Sequence, residues 1–322
     1  MATYGREREV ESFLNSLKKS NYDLSLVEVI IVDQNDKIDL NHIIERHNDL
    51  NIKHIKSTVK GLAKNRNIGL EESHEGIVAF PDDDCEYLPD TLNIISNIFE
   101  SNSEIDVVMG RIVERDGSDS LRKWPKEEIK ISKSNFYTKC SSVTMFYRNG
   151  SSLRFNEKLG AGNYLGSCED SDILYRALKS SKNIVYKPEV QIYHPHYSSD
   201  TNMNEGKVKS YGLGFGAFCK FNFDFNICIL FIKAEVFHVL NTIIGICTFN
   251  KEKIRKGYIA FSSSTCMNHS FHSLYIPFSI VTNRNKLIRF FSFLFSFFII
   301  YYGLSYYSFK KTLDKNCFLR HY

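Results

Sequence analysis

Over roughly the first 215 residues the apolar positions switch repeatedly between two periods. Val10, Phe13, Leu14 and Leu17 fall three and four apart, which predicts a helix over residues 7–19. VEVIIVDQND then gives a buried strand over 27–32 ending at Asp33, with an unbroken apolar run over 29–32, the pattern of a strand covered on both faces. A helix over 40–47, a strand in IKHIKS and a helix over 62–72 follow, the last opened by Gly61 and carrying Lys64 and Arg66 in its first turns. GIVAFPDDDCEYLPD repeats the scheme, with a buried strand over 77–80, three carboxylates at its end and a helix from Pro89 to about residue 99. Strands over 107–113 and 142–147, a helix behind Glu169 and Asp170, and a closing strand pair in NIVYKPEVQIYHPH complete the order. Strands alternating with helices predict an α/β fold, a mostly parallel, Rossmann-like sheet with helices on both faces.

The chain changes character after Tyr211. Residues 225–249 are strongly apolar, interrupted by Lys233, Glu235 and His238, and 290–309 run 20 residues without a charge. The second stretch is long enough to span ~30 Å of hydrocarbon. Basic residues flank it on both sides, so charge assigns it no orientation. The expected organisation is an α/β domain over 1–215 and a helical, membrane-associated region over 216–322. Glycines at 212, 214 and 216 suit a tight bend or a close helix contact.

Composition narrows the partners. Lys+Arg of 41 against Asp+Glu of 37 gives a net charge of +4, too mild for a nucleic-acid surface and compatible with an anionic membrane. The 8 cysteines are scattered singly with no CxxC pair, which predicts reduced thiols in a cytosolic setting. No GxGxxG or GxxxxGK[ST] occurs, so neither a dinucleotide fingerprint nor a P-loop is present.

In open α/β sheets ligands sit beyond the carboxyl ends of the strands, and three polar signals converge there. Asp82, Asp83 and Asp84 side by side repel one another unless a hard divalent cation, which would in turn hold a phosphate, sits among them; a solvated acidic turn is the plainer reading. Asp33 suits a nucleobase or ribose, or else a helix N-cap. Arg66 can fork onto a diphosphate, or merely face water. Glu169 and Asp170 open a helix directly behind a loop rich in glycine, Gly160, Gly162 and Gly166. Acids in a first turn are favoured by the helix dipole, but below a loop able to close they are also placed to act as a general base. His194 and His196 alternate along an extended segment, so one of them can serve as a third metal ligand. The single tryptophan, Trp124, is either a packing anchor or a stacking platform for a sugar ring.

TYGR at Thr3, VDQN at Asp33, GLAKNRN ending at Asn67, FPDDD, the GAG…CED run over 160–170 and the closing HPH together resemble the family 2 glycosyltransferases, inverting enzymes of the A-type glycosyltransferase fold. The resemblance covers about residues 1–215. It implies a nucleoside-diphosphate-sugar donor held by Thr3, Tyr4, Arg6, Asp33, Gly61, Arg66, Asn67, Asp82 and Asp83. It implies Mg²⁺ or Mn²⁺ on Asp82 and Asp84 with His194 or His196, and Asp170, paired with Glu169, as the base. Gly160, Gly162 and Trp124 are the candidate acceptor contacts. A saccharide or lipid-linked acceptor at the cytoplasmic face of a bacterial inner membrane, in surface polysaccharide synthesis, is the expected setting. A sugar-nucleotide pyrophosphorylase would need a glycine-rich phosphate loop that TYGREREV lacks, and an inactive nucleotide-sugar-binding scaffold would not need all four of Asp33, Asp82, Asp84 and Asp170. The family also begins with a buried strand of about five apolar residues leading into the TYGR turn. Here only Met1 and Ala2 precede Thr3, so the expectation is that this first strand is absent, that its neighbours keep unpaired edges, and that Met1 is an internal methionine of a longer product.

Overall fold

The computed structural model describes residues 1–150, 153–195 and 204–266. Their order is β1 (Ala2–Thr3), α1 (Arg8–Lys18), β2 (Glu28–Asp33), α2 (Asn41–Arg46), β3 (Asn51–Lys56), α3 (Leu62–Glu71), β4 (Ile77–Ala79), β5 (Glu86–Tyr87), α4 (Thr91–Ser101), β6 (Val107–Val113), β7 (Ile129–Lys130), β8 (Met145–Arg148), α5 (Glu169–Lys179), β9 (Ile184–Tyr193), α6 (Glu205–Phe221), α7 (Phe225–Cys247) and α8 (Lys251–Cys266). The elements expected from periodicity are present through α5, most within two residues at each end. The apolar 290–309 stretch lies outside the described residues.

The strands form two sheets. β1, β2 and β3 are parallel in that order, and β4-β8-β6-β9-β5 form a second path with β7 paired to β9. The second sheet is mixed: β8 runs antiparallel to both β4 and β6, while β6 and β9 are parallel. The direction of β8 follows from the long connection before it, which reverses the chain and which a local pattern does not record. The expected closing strand pair is one ten-residue strand, β9. Its register against β6 shifts between Met109 and Arg111, where Gly110 leaves room for the Val190 backbone and Arg111 Nε donates to Pro188 O at 3.0 Å. Lys187-Pro188-Glu189 therefore bulges rather than turns.

Two apolar cores lie on the two faces. α1 buries Val10, Phe13, Leu14 and Leu17, the stripe read from the sequence, with Ile31, Ile95 and Phe146. The other core gathers Phe136, Met145, Tyr175, Tyr186 and, from α6, Phe215 and Phe218. α6 thus enters the same core as α5 while running across residues 215 and 216. Gly212 and Gly216 let α6 lie against α8, where a Cβ on Gly216 would meet the Ser264 backbone, and Gly214 lets it lie against the Ser167 backbone. Tyr175 of α5 donates to Asp224 at 2.7 Å, and the same carboxylate caps α7 by accepting from Ile227 N at 3.0 Å. α7 is long and apolar enough by composition to cross a membrane, and Phe225, Phe237, Leu240 and Ile244 on it are exposed.

Candidate active site at the strand ends

β4 stops at Ala79, and the buried Phe80 anchors the turn by edge contacts with the rings of Tyr147 and Phe155. The three carboxylates that follow are each held differently. Thr3 Oγ1 donates to Asp83 at 2.8 Å. Arg6 reaches Asp83 at 3.3 Å and Asp84 at 2.7 Å. His194 Nε2 lies 3.2 Å from Asp84 and 3.9 Å from Asp82. Burial, with only partial relief from Thr3 and Arg6, lifts the Asp83 carboxyl to about 6. At Asp84 burial pushes the same way but is outweighed by the His194 hydrogen bond and charge and by Arg6, so this group lies below the usual range. Burial would lower His194, and the Asp84 contact overcomes it and raises the imidazole instead.

Arg66 comes up from α3 beneath this cluster. Its guanidinium is buried, with Nη2 donating to Asp82 at 2.7 Å and to Ser142 Oγ at 3.0 Å. Nη1 faces Glu169 at 3.7 Å and makes no hydrogen bond. One cation therefore links the strand-end carboxylates to the acids that open α5. Burial first, and then the Asp170 charge beside it, lift Glu169 to about 7, with Arg66 opposing. Cys168 starts α5 from a left-handed backbone at φ 69°, which swings Glu169 and Asp170 toward the strand ends. Gly160, at φ 97°, is where the Glu169 carboxylate lies against the backbone of the glycine-rich loop, and a Cβ there would meet Glu169 Oε2 at 2.9 Å. A Cβ on Gly162 would meet Gly61 Cα at 3.1 Å, and Leu62 N donates to Ala161 O at 3.0 Å, so the loop over the acids is fastened to the start of α3.

The opposite rim is built on β2. Asp33 is fully buried, accepting from Lys56 at 2.7 Å, His54 at 3.1 Å and both the backbone and side chain of Asn35 at 2.8 Å. Burial is outweighed by these partners, and the carboxyl lies below its ordinary value. Asn35 then accepts from Gly5 N at 2.6 Å, tying the turn after β1 to the turn after β2. Exposed Tyr4 lies under Lys60 at 4.4 Å, and Gln34 accepts from Gly61 N at 3.0 Å. Tyr4 and Lys60 thus present an aromatic face and a cation at an open edge.

The strand-end geometry brings together Thr3, Arg6, Arg66, Asp82, Asp83, Asp84, Glu169 and His194, with Asp170 adjacent and Gly160 and Gly162 above. Asp33 and Arg66 sit below the surface and hold other side chains. Asn67 is likewise inward, bonding Phe155 N and O and Glu157. Trp124 is a packing anchor: it is 3% exposed, stacked on Tyr186 and donating to Ser120 O at 2.9 Å, so its ring faces the core instead of a sugar. His196 lies outside the described residues. Reading the sequence missed Ser142, Gln34 and Lys60. Lys60 had a signal in standing directly before Gly61, whereas Ser142 is recognisable only once the turn before β8 is folded against the Arg66 guanidinium.

The donor set suits a divalent cation. One ligand atom each from Asp82, Asp84 and His194 lie within 4.8 Å of one another, two hard oxygens and an imidazole, a combination natural to Mn²⁺ and tolerable to Mg²⁺.

Residues 1–160 match the family model Glycosyl transferase family 2, and this stretch makes the chain a member of that family. No curated protein matches. Among solved structures, S. aureus TarS residues 1–349 superposes at a TM-score of 0.53 with 22% identity, over 66% of this chain and 62% of that one. The same protein with UDP-GlcNAc gives 0.53 at 21%, over 66% and 64%, and a further S. aureus TarS structure gives 0.54 at 17%, over 81% and 54%. At these identities the likeness is one of fold, and the chain spans less than two thirds of the TarS structures it matches.

Proposed function

We propose that the chain transfers a sugar from a nucleoside-diphosphate sugar to a hydroxyl of a saccharide or lipid-linked acceptor, with inversion and with a divalent cation. The observation that carries this reading is the continuous line from His194 and Asp84 through Asp82 and Arg66 to Glu169 beside Asp170. Asp82, Asp84 and His194 would hold Mn²⁺ or Mg²⁺, which supplies positive charge to a departing diphosphate. Arg6 and Arg66 add fixed positive charge on the same side. Asp170 takes the acceptor proton as the acceptor oxygen bonds the anomeric carbon and the bond to the diphosphate breaks. Glu169, held by Arg66 and easily protonated near neutral pH, keeps a second negative charge from accumulating beside that base. Tyr4 and Lys60 form the rim where a nucleobase would rest.

The acceptor side opens toward the glycine-rich loop and α6. The exposed apolar residues of α7, continued by Phe221 and Phe223, support residence at a membrane surface, which we take to be the cytoplasmic face of a bacterial inner membrane, where such acceptors would be carried on lipid for surface polysaccharide synthesis. A donor screen with UDP and GDP sugars, with Mn²⁺ and with excess EDTA, tests the reading. Metal-dependent release of nucleoside diphosphate, accelerated by an acceptor extract, is expected. Turnover undiminished in EDTA would remove the metal from it, and no turnover with any donor would remove the transferase.

A further inference from the structure

The loop between Leu159 and Ser167 carries a large side chain that the core does not use. Tyr164 is 73% exposed, and among the described residues its side chain holds no aromatic ring, cation or hydrogen-bond partner. A single exposed aromatic is ordinary on a protein surface. The backbone beneath this one is not. Ser210 Oγ of α6 donates to Tyr164 O at 3.2 Å, Gly166 N donates to Ser210 O at 3.1 Å, and Ser167 Oγ donates to Tyr211 O at 3.0 Å. Across the neck of the loop Gly160 N donates to Leu165 O at 2.9 Å, with Leu159 and Leu165 buried below. Since Ala161 O is already held by the start of α3, the loop is fastened on both flanks, and Tyr164 stands on a fixed wall instead of a closing lid.

That wall borders the acids. At its neck Gly160 lies against the Glu169 carboxylate, and Asp170 follows directly. Tyr4 is the exposed aromatic of the opposite rim, so the two tyrosines mark different sides of the strand-end cluster. Tyr211, on the α6 flank of the wall, is 38% exposed, but Lys207 Nζ lies 5.6 Å from its ring centre and takes one face. Tyr164 keeps its ring open. Its surroundings are polar: Asn163 beside it in the loop, Ser210 bonded to its carbonyl, and Lys207 one turn away on α6. An aromatic face among polar groups matches a pyranose, which offers a face of C–H bonds and a rim of hydroxyls; an acyl chain would strip water from those groups without replacing it. A tyrosine has two side-chain torsions, so holding its ring against a ligand costs little entropy, and a pinned backbone lowers the cost further.

We propose that Tyr164 is the stacking platform for a sugar ring of the acceptor, so that this wall takes hold of the acceptor through a saccharide and not through a lipid. The ring's place in the reaction rests on the transferase reading, whereas the platform is tested by binding alone.

The full chain, Tyr164→Ala and Tyr164→Phe are each titrated with maltotetraose, cellotetraose, mannotetraose and chitotetraose, with binding followed by saturation-transfer NMR and folding by melting temperature. Expected is binding of at least one of the sugars by the wild type, weakened about tenfold in Tyr164→Ala and by less than about threefold in Tyr164→Phe, which keeps the ring. All three proteins should melt together, because the side chain is exposed. Binding of none of the sugars by the wild type, or equal binding by Tyr164→Ala, would overturn the platform. Release of nucleoside diphosphate from UDP and GDP sugars is followed separately on the wild type. Saccharide binding that depends on Tyr164 without any donor turnover would keep the platform and remove the transferase; donor turnover with saccharide binding indifferent to Tyr164 would do the reverse.

Discussion

Replacing Arg66 by Met keeps the length and most of the packing of the side chain while removing the charge that links the two acidic groups. The guanidinium lost makes a 2.7 Å bond to Asp82 and a 3.0 Å bond to Ser142, stands 3.7 Å from Glu169 and lies over the Phe155 ring at 5.3 Å. Removing one partner of a buried pair costs about 3–5 kcal/mol, because the remaining charge is stranded. Glu169 limits that cost: with its carboxyl already near 7 it can take up a proton and become neutral. About 3 kcal/mol at neutral pH is therefore expected, a fall in melting temperature of roughly 6–12 °C for a domain of this size. The pH dependence is the sharper readout. Glu169 has a folded value above its ordinary 4.5, so it weakens the fold increasingly as pH rises through 7, and without Arg66 its folded value rises further. The deficit of Arg66→Met must then be larger at pH 8 than at pH 6, measured by circular dichroism melts in parallel. A deficit under about 1 kcal/mol, or one that does not change with pH, would refute the coupling.

Asp84→Ala should abolish Mn²⁺ binding, because it removes a carboxylate from a three-residue donor set and leaves His194 without its 3.2 Å partner; calorimetric titration of Mn²⁺ checks it. In the chain with a free amine at Met1, burial holds that amine at about 5 against 8.0. The unfolded chain alone carries its proton between those values, so this group destabilises the fold progressively as pH falls from 8 to 5, by at most about 4 kcal/mol, and acetylation of Met1 should remove that slope in urea melts. Gly216→Val should force α6 from α8 at the Ser264 backbone and cost about 1–3 kcal/mol, seen as a lower melting temperature.

Much of this architecture is legible in local pattern. The 3.6 period of Val10, Phe13, Leu14 and Leu17 and the apolar runs 29–32 in β2 and 107–109 in β6 report burial by neighbours that every α/β sheet supplies. The carboxylate cluster is legible only in company: three adjacent acids alone read as a solvated turn, and it is the strand before them and the other polar residues at the strand ends that argue for a site. What stayed hidden depends on distant partners. Asp33 at the end of β2 and Arg66 on α3 are residue types that suit such a site, yet each is buried, because Lys56 and His54 come from β3 and Ser142 from the turn just before β8. Trp124 carries the same sequence signal whether it packs or stacks, and Tyr186 decides between them. β9 was divided in two because Pro188 ordinarily ends a strand, whereas Gly110 opposite makes room for a bulge.

The central claim is that Asp170 removes the acceptor proton while the strand-end carboxylates and His194 hold donor and metal. Asp170→Asn separates these roles, since the amide preserves size and loses the basic oxygen. Donor affinity with Mn²⁺, measured by calorimetry, should change less than about threefold, while transfer in the presence of acceptor falls by about 10²–10⁴. Transfer at the wild-type rate with donor binding intact would contradict the account and assign the proton to another group.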